Sequence, residues 1–201
     1  MNEVEQPAPT EDAAHQAALQ RFFAQALRLK RLRRSGWVRK GVREPESVAE
    51  HSWGVALMVA VLCPTTLNRE RALMMAVLHD LAETIVGDLT PHDLEPEGGK
   101  RAAETKAMQQ LLEELDNGDA LRELWLDYEH LRSPEAAFVK ACDKLEMGLQ
   151  ALSYEREQGA ELEEFCFSAR AALTDFSTLQ ALVNRASWTA SQEHSDETEQ
   201  P

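Results

Sequence analysis

Residues 76–89 read AVLHDLAETIVGDL, an apolar stretch that suddenly carries His79, Asp80 and Glu83, with Asp88 following Gly87. Charged groups on the buried side of a helix are costly unless they are paired or hold a cation. On one continuous helix Glu83 lies four residues from His79 and three from Asp80, so it shares a face with both. The adjacent His79 and Asp80 diverge by about 100°, and both can flank one ion only near the helix end, with other helices supplying the remaining ligands. His51, in EHSWGVALMVAVL, and Asp143, in AAFVKACDKLEMGL, are the candidates, each a polar residue on an otherwise apolar stretch. Taken singly, each is more simply a hydrogen-bonded core residue. Taken together, the two imidazoles and two carboxylates suit a divalent transition metal (Mn²⁺, Co²⁺, Fe²⁺ or Zn²⁺).

The remaining candidates are weaker. His92 and Asp93 form a second doublet, but TPHDLEP reads as a loop with no apolar helix beneath it. Glu146 lies one helical turn beyond Asp143 and is either a partner of the ligands or exposed. Cys63, Cys142 and Cys166 have no short mutual spacing and read as reduced core residues, not as a disulfide framework or a thiolate zinc site. His15, His130 and His194 sit in surface-like contexts, and the methionines read as core fillers.

A chain of 201 residues with 43% hydrophobic content is long enough for one substantial core. Its formal net charge of −14 repels a nucleic-acid backbone, and no nucleic-acid partner is expected. Ala13 to Arg43 nonetheless contains no Asp or Glu and holds nine of the 21 Lys and Arg residues. That strip reads either as a solvated helix face or as a collector of phosphate. No apolar run approaches the ~20 residues that span a bilayer, and the acidic N-terminus lacks a signal-peptide core, so a cytoplasmic protein without membrane contact is expected.

The elements that must position these residues are helices. Residues 1–12 and 191–201 are polar and charged, and are expected to be disordered tails around a single domain over 13–190. Alternating β-branched runs are missing between them, which points to an all-α fold. A first helix is expected over Ala13–Leu32 with Asp12 as cap, followed by a loop through Gly36, Gly41 and Pro45. Ser47 and Glu50 form a capping box that starts a helix ending near Pro64. Further helices are expected at Asn68–Thr84, 99–116 and 118–131. Another runs from the Ser133 cap and Pro134 to Glu157, and the last two cover 160–174 and 176–189.

The ordered set of His51, the His79–Asp80 doublet and Asp143 resembles the HD-domain phosphohydrolases. LKRLRRSGWVRKGVREPESVAEHS, LHDLAETIVGDLTPHD and SPEAAFVKACDKLEM narrow the resemblance to the 5′-deoxynucleotidase group, over about Leu27 to Tyr154. It implies an HD-domain helical bundle, usually dimeric, that hydrolyses deoxyribonucleoside 5′-monophosphates with a divalent cation held by His51, His79, Asp80 and Asp143. Glu83 would then orient or deprotonate the attacking water, or else support a ligand histidine. Asp88 would protonate the leaving group or bind the 3′-hydroxyl, or else cap its loop. Trp37 would line the sugar pocket and crowd a 2′-hydroxyl, or else anchor its loop. Bacterial members place a phosphate-binding arginine just before this tryptophan, where this chain has Gly36, so Arg34, Arg39 and Arg43 become the candidates. The same pattern leaves room for an HD phosphohydrolase of cyclic nucleotides or triphosphates, and for a non-catalytic metal-binding interaction protein.

Overall fold

The computed structural model describes residues 11–90, 93 and 99–184. The first ten residues, the C-terminal tail, His92, His194 and the end of the last expected helix lie outside the described residues. Ten α-helices and no strand occur among the described residues: α1 (Glu11–Ala26), α2 (Ser35–Arg39), α3 (Val48–Leu62), α4 (Arg69–Leu78), α5 (Glu83–Val86), α6 (Lys100–Leu112), α7 (Gly118–His130), α8 (Pro134–Gln158), α9 (Glu163–Ala172) and α10 (Ser177–Leu182). The all-α expectation holds, and no described helix is long and apolar enough to cross a membrane.

The caps work as read. Ser47 Oγ accepts from the Glu50 N–H while Glu50 returns a bond to the Ser47 N–H. Asn68 and Ser133 cap α4 and α8, the latter with Pro134 in its first turn. Three boundaries in the N-terminal part differ. Asp12 lies inside α1, which begins at Glu11, and so does not cap it. After Ala26 the chain tightens into a 3₁₀ turn over Leu27–Lys30. The expected loop around Gly36 contains the short α2, whose Trp37 side chain is buried between Tyr154 and Phe165 and so draws the segment onto the core.

The long α8 is the axis of the bundle, packing against α3, α4, α7, α9 and α10. Its inner face supplies Phe138, Val139, Leu145, Ala151 and Leu152 to one continuous core with Val55, Val59, Met75 and Met108. Cys63, Cys142 and Cys166 are buried free thiols. α9 crosses α8 at Gly148, where a Cβ would stand 2.8 Å from the Ala169 Cβ and 3.0 Å from Val183 Cγ1. Replacing a helical glycine by alanine ordinarily stabilises by about 1 kcal/mol. Overpacking of this crossing outweighs that gain, and Gly148→Ala is expected to lower unfolding stability by about 1–2 kcal/mol in chemical denaturation.

Candidate active site

Three helix ends and one helix middle bring the donors together. The capping box fixes the start of α3, so His51 falls in its first turn, with 0% of its surface exposed. The expected helix through Thr84 is interrupted: α4 stops at Leu78, and the bonds Leu81 N–H to Leu78 O, Glu83 N–H to Asp80 O and Thr84 N–H to Leu81 O tighten the chain to i→i+3 steps. The His79 carbonyl, released from the helical ladder, accepts the Trp125 indole N–H at 3.1 Å. This turn swings His79 and Asp80 to one side, which a straight helix would not do. Asp143 and Glu146 sit mid-way along α8, facing α3.

His79 Nε2 stands 3.2 Å and His51 Nε2 3.7 Å from Asp80 Oδ2, and His51 Nε2 lies 3.3 Å from Asp143 Oδ1. The ligand atoms of His51, His79 and Asp80 all lie within 4.8 Å of one another. Each imidazole uses Nδ1 on a protein acceptor: His79 to the Ala76 carbonyl at 2.7 Å, His51 to Glu146 Oε2 at 2.5 Å. With Nδ1 engaged on the outer side, each Nε2 faces the common centre, where a cation would displace any proton it carries. Four buried side-chain polar atoms among the described residues have no hydrogen-bond partner. Three of them are His51 Nε2, His79 Nε2 and Glu83 Oε2. Buried orphans of this kind are rare; two imidazole nitrogens converging on a pair of carboxylates fit a divalent cation of the nitrogen- and oxygen-binding class.

The electrostatics carry the same mark. Burial and the Arg34 guanidinium oppose protonation of His51, but Asp143 and Glu146 outweigh them and hold the ring up to about 10. Burial would raise Asp80, yet His79, His51 and Arg34 keep it well below the usual carboxylate range. Asp143 is likewise depressed against its burial, by Lys140, Lys144 and His51. Burial and the charges of Asp80 and Asp88 push Glu83 up to about 10. Burial and Glu146 raise Glu46 to about 7.

A cavity of about 720 Å³ opens over this cluster, lined in part by Arg34, Trp37, Arg39, Asp80, Glu83, Asp88 and Asp143, a volume in the range of small-molecule sites. Arg34 spans Asp80 at 3.5 Å and Asp88 at 3.8 Å. Asp88 also accepts the Ser35 backbone N–H at 2.6 Å, tying the start of α2 to the site. Trp37 lines the cavity although it is 1% exposed, and donates its indole N–H to Glu46 at 2.8 Å. Arg39 lines the cavity but pairs with Glu164 at 2.9 Å. Arg43 is not brought in: it is exposed, does not line the cavity, and its backbone exchanges hydrogen bonds with Gln158.

Three lysines were missed in the sequence. Lys100, Lys140 and Lys144 all line the cavity, and the last two reach Asp143 Oδ2 at 3.0 and 3.5 Å. The signal was present in KACDK: an aspartate between lysines one and three residues away on an otherwise apolar helix face. Tyr128 completes the group, its hydroxyl 3.4 Å from Asp143 Oδ2.

Comparison with known proteins adds to this geometry. A family model described as HD domain matches residues 26–180. The 5′-deoxynucleotidase hdd1 of Schizosaccharomyces pombe is 35% identical over 167 residues, covering 79% of this chain and 84% of that one. The 5′-deoxynucleotidase HDDC2 of Mus musculus is 44% identical over 141 residues, covering 69% and 71%. Among solved structures, a conserved hypothetical protein from Pyrococcus furiosus superposes with a TM-score of 0.70 at 32% identity, over 81% of this chain and 98% of that one. A predicted metal-dependent phosphohydrolase from Magnetospirillum magnetotacticum shares the fold with a TM-score of 0.64 at 24% identity, over 86% and 97%. With its histidine, its His–Asp doublet and its later aspartate gathered over one cavity, this chain belongs to the HD domain family.

Proposed function

We propose that this protein is a 5′-deoxynucleotidase that removes the phosphate from deoxyribonucleoside 5′-monophosphates, with His51, His79, Asp80 and Asp143 as the ligands of its divalent cation. The observation that carries the reading is the convergence of two orphaned imidazole nitrogens on buried carboxylates beneath a cavity lined with Arg34, Lys140 and Lys144. The names of the curated relatives support the same activity. When bound, the cation supplies Lewis acidity toward water and phosphate. Mn²⁺, Co²⁺, Fe²⁺ and Zn²⁺ are all compatible with the donors.

The protein's own groups do the rest. Arg34 and Lys144 draw in the phosphate dianion and fix its oxygens by charge-assisted bonds. Glu83 borders the cavity with one oxygen unpartnered; with a cation bound to offset the charge that raises it, Glu83 would take the proton of the attacking water, while the 5′-oxygen released as its bond to phosphorus breaks takes a proton from solvent in the open cavity. Asp88 is already committed to the Ser35 N–H and to Arg34, which suits it to receive a hydrogen bond from the sugar 3′-hydroxyl. Trp37, clamped through Glu46, gives a rigid edge against which a 2′-hydroxyl would crowd.

The protein is further proposed to be a cytoplasmic homodimer without nucleic-acid partners. The chain carries no Asp, Glu, Lys or Arg from His51 to Asn68, and within that run α3 exposes Trp53 (69%), Leu57 (47%) and Val61 (70%), while α4, which packs on it, exposes Met74 and Val77. A helix apolar all round is normally covered on all sides. On a molecule of net charge −14, an uncharged apolar face is where a second acidic copy approaches at least electrostatic cost, around a two-fold axis.

Three measurements check these readings. Phosphate release with added Mn²⁺ or Co²⁺ is expected from deoxynucleoside monophosphates; release from triphosphates or cyclic nucleotides alone would reject the substrate assignment. In the same assay Glu83→Gln should keep its metal content and lose kcat by about 10²- to 10⁴-fold. Next, His51 and Glu83 are both raised in the cation-free protein. A raised histidine contributes stability that is present below its ordinary 6.5 and lost as pH climbs through about 10. A raised carboxyl adds a loss of the same sign from its ordinary 4.5 upward. Chelated protein is therefore expected to lose Tm from about pH 6 to about pH 9, while cation affinity rises with pH as the competing protons leave. Last, light scattering should report a dimer, and Val61→Glu, which sets like charges against each other across the axis, should convert it to monomer.

A further inference from the structure

We infer that the α9 wall of the cavity, centred on Phe165, is the subsite for the nucleobase, which it receives by stacking; this rests on the reading of the substrate as a deoxynucleoside monophosphate. Phe165 lines the same cavity as Asp80, Glu83 and Asp143 and is half-buried. Its seat is built by α2. Gly36 has no side chain, and a Cβ there would stand 3.2 Å from Phe165 Cε1. The ring leans on Trp37 with centroids 4.4 Å apart at 44°, and Trp37 in turn meets Tyr154 edge-on at 5.6 Å.

The neighbouring residue locks the arrangement. Glu164 Oε1 is held by Arg39 at 2.9 Å and Lys40 at 3.1 Å, which pins α9 to the end of α2. Arg39 therefore serves the wall, while the phosphate is left to Arg34 and the lysines. Any side chain at position 36 would press on the Phe165 ring, so the glycine is what lets the aromatic wall close against α2. The cavity thus holds cations that select the phosphate and, from α8 and α9, the apolar surfaces of Met147 and Phe165 that suit a flat uncharged ring. Stacking is blind to base identity because every base has a π-face. The expected result is broad acceptance of purines and pyrimidines, with purines favoured by area.

The test compares dAMP with 2-deoxyribose 5-phosphate, which keeps the sugar and the ester and lacks the base, in full-length wild type, Phe165→Ala, Phe165→Leu and Phe165→Trp. The quantity read is the ratio of kcat/KM for dAMP to that for the baseless substrate. Phe165→Ala and Phe165→Leu are expected to lower that ratio by about 5- to 150-fold, chiefly through KM, and Phe165→Trp to keep it. Phe165→Leu preserves apolar volume and decides the matter if the alanine variant does not fold. An unchanged ratio in Phe165→Leu, or an equal loss on both substrates in every variant, overturns the inference by reducing Phe165 to packing. Wild type that leaves dAMP intact while cleaving other nucleotides would instead strike the substrate reading beneath it.

Discussion

Everything in this molecule is arranged around the cost of burying charge. Asp80 and Asp143 remain ionised beneath the surface, and His51 is wholly enclosed. Such groups are tolerated only where opposite charge is close enough to replace water. Here compensation comes from Arg34 on one side and Lys140 and Lys144 on the other, with the two imidazoles between them. Protein groups satisfy the outer atoms of the cluster completely and leave its centre unsatisfied, which is the arrangement a cation requires. The outer partners also orient the rings: Ala76 O and Glu146 each engage an Nδ1, so both Nε2 atoms face the centre.

The scaffold follows from that constraint. α8 delivers a carboxylate to the middle of the bundle and remains otherwise apolar, so one charged stripe coexists with a dry core on the same helix. α4 ends one residue before the doublet, and the freed carbonyl of His79 is taken by Trp125 of α7, so the break leaves no stranded backbone acceptor. α2, a single turn and a half, is held at one end by Asp88 and at the other by Glu164. Its residues therefore form both the polar and the aromatic borders of the cavity.

Charge is also distributed by function across the surface. The chain as a whole is acidic, and the cavity lining sets Arg34, Arg39, Lys100, Lys140 and Lys144 among Asp80, Glu83, Asp88, Asp93, Asp143 and Glu164. Within that lining the five cations offset most of the six carboxylates, so the cavity is close to neutral inside a strongly acidic chain.

The sequence by itself determined the helical class and the caps at Ser47, Asn68 and Ser133, and it offered His51, His79, Asp80 and Asp143 as candidate donors. Caps and periodicity are local, and unpaired charge in an apolar run is visible without coordinates. The family resemblance made the donors a set. It did not determine the geometry at His79, because the interruption of α4 depends on Trp125, 46 residues away, and no pattern within residues 76–89 records that partner. Arg43 reads as equal to Arg34 in a basic strip, yet α2 turns one toward the carboxylates and leaves the other beside Gln158. Lys140, Lys144 and Phe165 enter the cavity only because α8 and α9 pack against the elements carrying the donors. Residue chemistry is written position by position, whereas the distances that turn it into a site are set by long-range packing, and that only the tertiary structure decided.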